Sequence, residues 1–280
     1  MMRFLYAPAA ILALAGFAIV ALPPVAAAQI SDVPQQRIDG LSTDYREAGE
    51  FLSGNMPVNA PVVTFSPEVP FFVMRRQVTR GEYGACVSAG ACRALDTAGE
   101  PDLPATGISF EDANTYAAWL SRRTGEVWRL PSDREWRLFA GTRAVDDAFQ
   151  EGSPDNPAER WLSRYDEEAR RREPEEARAQ PVGTFGENEH GLLDLSGNVW
   201  EWTSTCYARS RIDPATGQIA RHDNCGVRIA EGAHRAYLTS FIRDPKSGAC
   251  SVGRPPTNLG MRLVREEKGF LSGVRSFFGL

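Results

Sequence analysis

The segment His190–Thr203, HGLLDLSGNVWEWT, is the most informative stretch of the chain, because two tryptophans, two carboxylates and two glycines stand there at fixed short offsets. Composition alone would rarely produce this combination. Four further motifs, on both sides of this segment, follow a set order along the chain. They are VTRGEY at Val78–Tyr83, ISFEDANTYAAWL at Ile108–Leu120, WRLPSDREW at Trp128–Trp136 and NLGMR at Asn258–Arg262.

In content and order these motifs resemble the formylglycine-generating enzymes, also called the sulfatase-modifying factor family. The resemblance covers roughly residues 65 to 266. It implies an α+β fold related to the C-type lectins and rich in irregular structure. The 25 glycines and 19 prolines agree with a turn-rich architecture rather than a helix bundle.

Activity in this family depends on cysteine. The oxidase members hold copper(I) and their substrate with a C-x4-C pair, because soft thiolates suit copper(I). After Asn224 this chain has only Cys225 and Cys250, and the matching segment Gly232–Phe241 contains no thiol. We therefore expect neither formylglycine-generating oxidase activity nor copper.

Two function classes follow from the resemblance. The first is a non-oxidase binding, accessory or assembly factor of the cell envelope, whose cleft recognises a protein or a glycan. The alternative is an enzyme of the same family, a formylglycine-generating-type or siderophore-maturation-type oxidase with a different metal centre. The missing thiol pair and the scattered histidines favour the first class. The candidate cleft residues are His234, Arg235, Tyr237 and Arg243.

The N-terminus predicts the compartment. Arg3 precedes an apolar run from about Ala9 to Leu22, and the small residues Ala26–Ala28 follow a proline pair. This pattern is typical of a cleaved secretory signal over residues 1–28. A membrane anchor is the alternative, but the run is shorter than the ~20 residues that a spanning helix needs. We predict a periplasmic or secreted protein with no transmembrane helix after cleavage.

The rest of the chain divides into three parts. Residues 29–64 are a lead-in that we expect to pack late or stay mobile, and residues 65–266 form the family domain. Residues 267–280 form a short amphipathic tail with an apolar stripe that docks on the body or contacts a membrane surface or partner. The formal net charge of −5 indicates no strong electrostatic partner and no nucleic acid.

The resemblance also implies a calcium site in the central segment. The corresponding ligands are the side chains of Asp194 and Glu201 and the carbonyl oxygens of Gly197 and Val199. Calcium prefers several hard oxygen ligands, so a structural ion is chemically sensible there. In the alternative interpretation, Asp194 caps the turn and Glu201 is a buried carboxylate hydrogen-bonded to backbone amides. The sequence alone does not distinguish the calcium site from this alternative.

Five cysteines in an exported chain predict two disulfides and one free thiol. Cys86 and Cys92 flank a short turn, and relatives carry a similar cysteine-bounded turn there. Cys206 and Cys225 bracket the stretch after the central segment, where some exported relatives also have two cysteines. Cys250 is then free, and the main competing bridge is Cys225–Cys250.

Local patterns predict individual elements. Residues Glu111–Arg123 have helical spacing with Ser109 as N-cap, and a second helix begins after Ser132. Glu135 completes a capping box for the second helix, which directs Trp136 toward the core. Apolar residues in Phe65–Gln77, including Val69, predict a strand that enters the core.

Overall fold

The computed structural model describes residues 33–96, 99–146, 148, 178–244 and 258–267. The predicted signal segment, the C-terminal tail and Cys250 lie outside these residues. The described helices are α1 (Arg80–Ser88), α2 (Phe110–Thr124) and α3 (Asp133–Ala140). The described strands are β1 (Gln35–Ile38), β2 (Thr43–Arg46), β3 (Glu50–Ser53), β4 (Met56–Val58), β5 (Val62–Phe65), β6 (Phe71–Met74), β7 (Trp128–Arg129), β8 (Trp200–Ile212), β9 (Ile219–Glu231), β10 (Ala236–Thr239), β11 (Leu259–Gly260) and β12 (Val264–Glu266).

All three helices begin with a capping box. In each, the hydroxyl oxygen of a serine or threonine at the N-cap accepts from the backbone N–H three residues later, and the carboxylate of that later residue accepts from the N-cap N–H. This confirms the prediction for Ser132 and Glu135. It also confirms Ser109 as the cap of α2, which ends at Gly125 in a left-handed conformation with φ 71°. The apolar stripe of α2 is buried as predicted, and Trp136 of α3 is fully buried.

The strands form three sheets. A four-stranded sheet has the order β1-β6-β12-β7, and a larger sheet has the order β10-β9-β8-β3-β4, with β11 beside β8. Strands β2 and β5 form a separate ribbon. One core lies against α1 and α2 and contains Tyr116 and Trp202, and a second packs α3 against β6 and contains Trp136 and Phe139. The α+β fold is confirmed. No helix in the described ranges is long and apolar enough to cross a membrane.

The lead-in takes part in this architecture. Strand β1 pairs antiparallel with β6, and β3 pairs parallel with β8. Ile38, Tyr45 and Phe51 bury their side chains. Within the lead-in, turn formers separate short strands that also pair locally, β2 with β5 and β3 with β4. How late the segment packs stays a prediction.

The predicted strand near Val69 is shorter than expected. Strand β6 begins only at Phe71, and Val69 is 62% exposed. Pro70 has no N–H to donate and restricts the residue before it, so the ladder cannot extend back through Val69. The structure therefore corrects the assignment of Val69 to the core.

Both predicted disulfides are present. Cys86 is bonded to Cys92, and Cys206 is bonded to Cys225. The competing bridge Cys225–Cys250 is therefore excluded. Cys206 and Cys225 join β8 to β9 where the register of the two strands shifts.

Candidate functional site

The central segment turns tightly before it enters β8. Three residues other than glycine adopt left-handed backbone conformations there, namely Asp194 (φ 59°), Ser196 (φ 58°) and Asn198 (φ 65°). The fully buried carboxylate of Asp194 accepts hydrogen bonds from the backbone N–H groups of Gly183 at 2.6 Å and Phe185 at 2.8 Å. Asp194 thus ties the preceding loop to the turn, which offsets part of the strain of these conformations.

Glu201 lies at the centre of a buried polar network. Both of its oxygens accept from the Arg262 guanidinium, at 2.9 Å from Nη2 and 3.0 Å from Nε. Its Oε2 also accepts from Trp136 Nε1 at 2.8 Å, and its Oε1 accepts from Gln77 Nε2 at 2.7 Å. Arg262 donates in addition to the backbone carbonyls of Met74 and Leu193. One ion pair therefore holds five segments of the chain together.

The NLGMR motif delivers Arg262 to this network. Strand β11 pairs parallel with the start of β8, with Gly260 facing Glu201 in the register. A Cβ atom at position 260 would lie 2.7 Å from the carbonyl oxygen of Ala105, so the close approach requires glycine. This explains why the motif combines a glycine with an arginine two residues later.

The four predicted calcium positions do not fit the ion as they stand. Both Asp194 oxygens face backbone N–H groups, and the carbonyl of Gly197 accepts from Val199 N at 2.8 Å. Both Glu201 oxygens face donors, and the Arg262 positive charge occupies the place of a cation. Within the described ranges, no group of three or more His, Cys, Asp or Glu side chains could hold a metal.

The geometry favours the alternative interpretation with one change. Asp194 caps the turn as that interpretation states. Glu201, however, is bonded to the side chains of Arg262, Trp136 and Gln77 and not to backbone amides.

This arrangement predicts the response to chelation. We expect EDTA to leave the melting temperature of the purified domain unchanged. Asp194→Ala should lower the free energy of unfolding by roughly 1–3 kcal/mol with or without chelator, because it removes the acceptor of two partly buried backbone N–H groups. Thermal unfolding with EDTA and after added calcium measures both effects. A calcium-reversible drop that is absent in Asp194→Ala would instead establish the metal site.

The structure places the four candidate cleft residues in separate internal contacts. His234 packs edge-on against the Trp200 ring, with the ring centroids 5.3 Å apart. The Tyr237 hydroxyl accepts from Gly49 N at 3.0 Å. Arg243 forms a bidentate pair with Asp112 at the start of α2. Each of these side chains thus has its own partner within the described part of the chain.

The segment that matches the oxidase cysteines contains strand β10. This strand pairs antiparallel with Val227–Ala230 of β9, and Ala236 and Leu238 bury their side chains. Before it, a Cβ atom at Gly232 would lie 2.7 Å from Cγ of Trp200, so the backbone closes directly onto that ring. At the other end of the segment, the side chain of Phe241 is 71% exposed.

Arg235 belongs to a buried ionic cluster with Asp133 and Glu231. Its guanidinium lies 3.1 Å from Asp133 Oδ2 and 2.9 Å from Glu231 Oε1, and all three side chains are inaccessible to solvent. Tyr45 donates to Asp133 Oδ2 at 2.5 Å, and Arg137 lies 3.7 Å from Glu231. Sequence analysis missed this cluster, because residues of β2, α3 and β9 carry no shared local signal.

The two buried carboxyl groups of this cluster have pKa shifts in opposite directions. Burial and the adjacent Asp133 carboxylate raise the pKa of Glu231 well above its usual value. Burial opposes the charge of Asp133 too, but Arg235 and hydrogen bonds from Glu231 and Tyr45 hold the pKa of Asp133 below its usual value. Asp133 Oδ1 accepts no hydrogen bond from the other described groups, so a proton on Glu231 would supply it with a donor.

Comparison with known proteins settles the family. The model of the sulfatase-modifying factor enzyme 1-like domain matches residues 30–267. The chain belongs to the sulfatase-modifying factor family. The family domain takes in the lead-in, in agreement with its strand pairing.

Catalytically active and inactive members both occur among the relatives of this sulfatase-modifying factor domain. It is 34% identical over 146 residues to the formylglycine-generating enzyme of Mycobacterium tuberculosis, covering 47% of this chain and 43% of that protein. It is 30% identical over 181 residues to the inactive C-alpha-formylglycine-generating enzyme 2 of Mus musculus, covering 56% and 52% of the two chains. The chain thus spans about half the length of these curated relatives. Family membership alone therefore does not decide activity.

A solved structure shares the fold. PvdO from Pseudomonas aeruginosa superposes with a TM-score of 0.53 and 22% sequence identity, covering 84% of this chain and 95% of that one. At this identity the likeness shows the fold of the sulfatase-modifying factor domain and nothing further.

Proposed function

We propose that this sulfatase-modifying factor domain is an exported binding, accessory or assembly factor without oxidase activity. One observation carries the proposal. Four of the five cysteines are bonded to one another in two disulfides, which leaves only Cys250 outside these pairs. An oxidase of this family needs two thiols, one to hold copper(I) and substrate and one to exchange.

The segment that matches the oxidase cysteines supports the same conclusion. Strand β10 presents no thiol, and its inward side chains are alanine and leucine. The candidate cleft cation Arg235 is neutralised by Asp133, and Arg243 is neutralised by Asp112. These charges stabilise the fold and are not directed toward a bound substrate.

Export is part of the proposal. Disulfides persist in oxidising compartments, and two of them brace this fold. Together with the predicted signal at residues 1–28, they support a periplasmic or secreted location. We propose a protein or a glycan of the cell envelope as the ligand.

Mass spectrometry tests the absence of oxidase activity. The mature protein is incubated with a cysteine-containing sulfatase-type peptide, copper(I) and oxygen, and the peptide is analysed for formylglycine. We expect no conversion above background, and no difference between wild type and Cys250→Ser. Conversion that depends on Cys250, or a redox metal present at one equivalent in the purified protein, would instead favour the alternative of an enzyme with a different centre.

The binding role has its own test. A photo-reactive phenylalanine analogue at position 241 places the probe on the exposed end of the segment that matches the oxidase cysteines. We expect a discrete cross-linked adduct in intact cells between this protein and another component of the cell envelope. The matched control is the same analogue at Val127, which is 63% exposed in the turn after α2. Absence of an adduct at position 241, or identical adducts from both positions, would argue against a ligand site there.

A further inference from the structure

The outer halves of β8 and β9 form a projecting hairpin arm, defined here as Tyr207–Ile212 and Ile219–Asn224. The two strands pair in continuous register from Tyr207 opposite Asn224 to Ile212 opposite Ile219. The Cys206–Cys225 disulfide braces the base of the arm, and β3 pairs with the other edge of β8. The arm is thus pre-organised, which lowers the entropic cost of binding through it.

One edge of the arm is open. Strand β10 pairs with β9 only at Val227–Ala230, and a bond from Ser240 N to the Gly226 carbonyl marks the end of that pairing. No described strand pairs with Ile219–Cys225 on this side, and every residue of that stretch is exposed. An edge strand of this kind presents a row of free N–H and C=O groups. The stretch contains no proline and extends about 24 Å at about 3.4 Å per residue.

We propose that a second copy of this chain pairs with this edge in antiparallel orientation, with the two-fold axis at His222. In an antiparallel pair, two facing residues either both direct their N–H and C=O groups toward the other strand or both direct them away from it. When identical strands pair around a two-fold axis, the sequence numbers of facing residues must therefore differ by an even number. The axis therefore passes through one residue that faces its own copy. With the axis at His222, Arg221 faces Asp223 of the second copy, and Asp223 faces Arg221 of that copy.

Charge selects this register over its neighbours. An axis at Arg221 would place two arginines opposite each other, and an axis at Asp223 would place two aspartates opposite each other, which is destabilising. Within one chain Arg221 Nε lies 2.8 Å from Asp223 Oδ1, and the two side chains are 38% and 53% exposed. Both therefore point to the same face of the strand, and the two copies would bring four alternating charges together. Glu47 of each copy lies beside them, because Arg221 Nη1 is 3.4 Å from Glu47 Oε2.

Charge reversal tests the pairing. Arg221→Asp places two acidic pairs across the axis and Asp223→Arg places two basic pairs, so each variant alone should raise the dimer Kd roughly tenfold or more. An equimolar mixture of the two variants should restore association as a heterodimer, because each acidic residue then faces an arginine. Arg211→Asp is the matched control: it makes the same charge change on exposed β8, one strand from the edge. Sedimentation velocity from micromolar to millimolar concentration measures all five samples, the wild type included.

Each outcome decides the proposal. A dimeric wild type, weakened single variants, a restored mixture and an unaffected Arg211→Asp support it. A wild type that stays monomeric up to millimolar concentration overturns it, as does a dimer that neither reversal weakens. A mixture that fails to associate, although both variants retain the wild-type melting temperature, overturns the register. The inference is independent of oxidase activity and of the ligand proposed above.

Discussion

Glu201→Gln is expected to lower the free energy of unfolding by about 3–5 kcal/mol, the cost of leaving one member of a buried ion pair without its partner. The Arg262 guanidinium would keep its charge at a fully buried position and face only neutral groups. Trp136 Nε1 and Gln77 Nε2 would also compete for the single remaining acceptor oxygen. Urea unfolding followed by tryptophan fluorescence measures the change.

A double-mutant cycle separates this ion pair from general damage to the core. Glu201→Gln combined with Arg262→Gln should cost clearly less than the sum of the two single changes, because the double variant leaves no uncompensated buried charge. Glu187→Gln serves as the control, since its pair with Arg75 is half exposed and should contribute at most about 1 kcal/mol. Strict additivity of the two single effects would contradict the assigned network.

Glu231→Gln is expected to stabilise the protein relative to wild type by an amount that grows as the pH rises. The raised pKa of Glu231 means that the folded state keeps a proton that the unfolded state releases above about 4.5. Stability is then full below that pH and falls as the pH rises toward the folded pKa, by up to about 1.4 kcal/mol per pH unit. The glutamine amide does not ionise, and it can donate to Asp133 as the protonated carboxyl does.

The comparison of wild type and variant isolates this group from the other titrating residues. Unfolding free energies are measured for both proteins at intervals between pH 4 and 8. The unfolding free energies of the two proteins should agree near pH 4, and the difference between them should grow as the pH rises. The contribution of Asp133 to stability changes with pH in the opposite direction. Because the fold lowers the pKa of Asp133, this contribution is lost as the pH falls below 3.8. Parallel curves for the two proteins would show that Glu231 is ionised in the fold.

Local features were predictable from the sequence because their partners lie within a few residues. The capping boxes at Ser109 and Ser132 depend on a carboxylate three positions later, and the buried stripe of α2 depends on helical period alone. The Cys86–Cys92 bridge spans six positions and a turn. The ordered motifs predicted the α+β family fold, which the structure and the family match confirm.

Tertiary structure decided the contacts between distant segments. Glu201 and Arg262 stand 61 positions apart, so no local pattern predicts their ion pair. Without that pair, the Glu201 carboxylate is an ordinary candidate ligand for calcium. The sequence predicts Arg235 and Arg243 as cations of a cleft. In the structure, Asp133 neutralises Arg235 and Asp112 neutralises Arg243, each from a helix more than a hundred positions earlier.

From residue order, the family, the starts of α2 and α3, the Cys86–Cys92 disulfide and the missing thiol pair were predictable. Each of these needs only residue identity and short spacing. The structure alone decided which charges are buried, how the lead-in joins the sheets and which edge of β9 remains open. The physical reason is that the burial and pairing of a charge depend on which distant strands and helices pack around it, and residue order does not encode that packing locally.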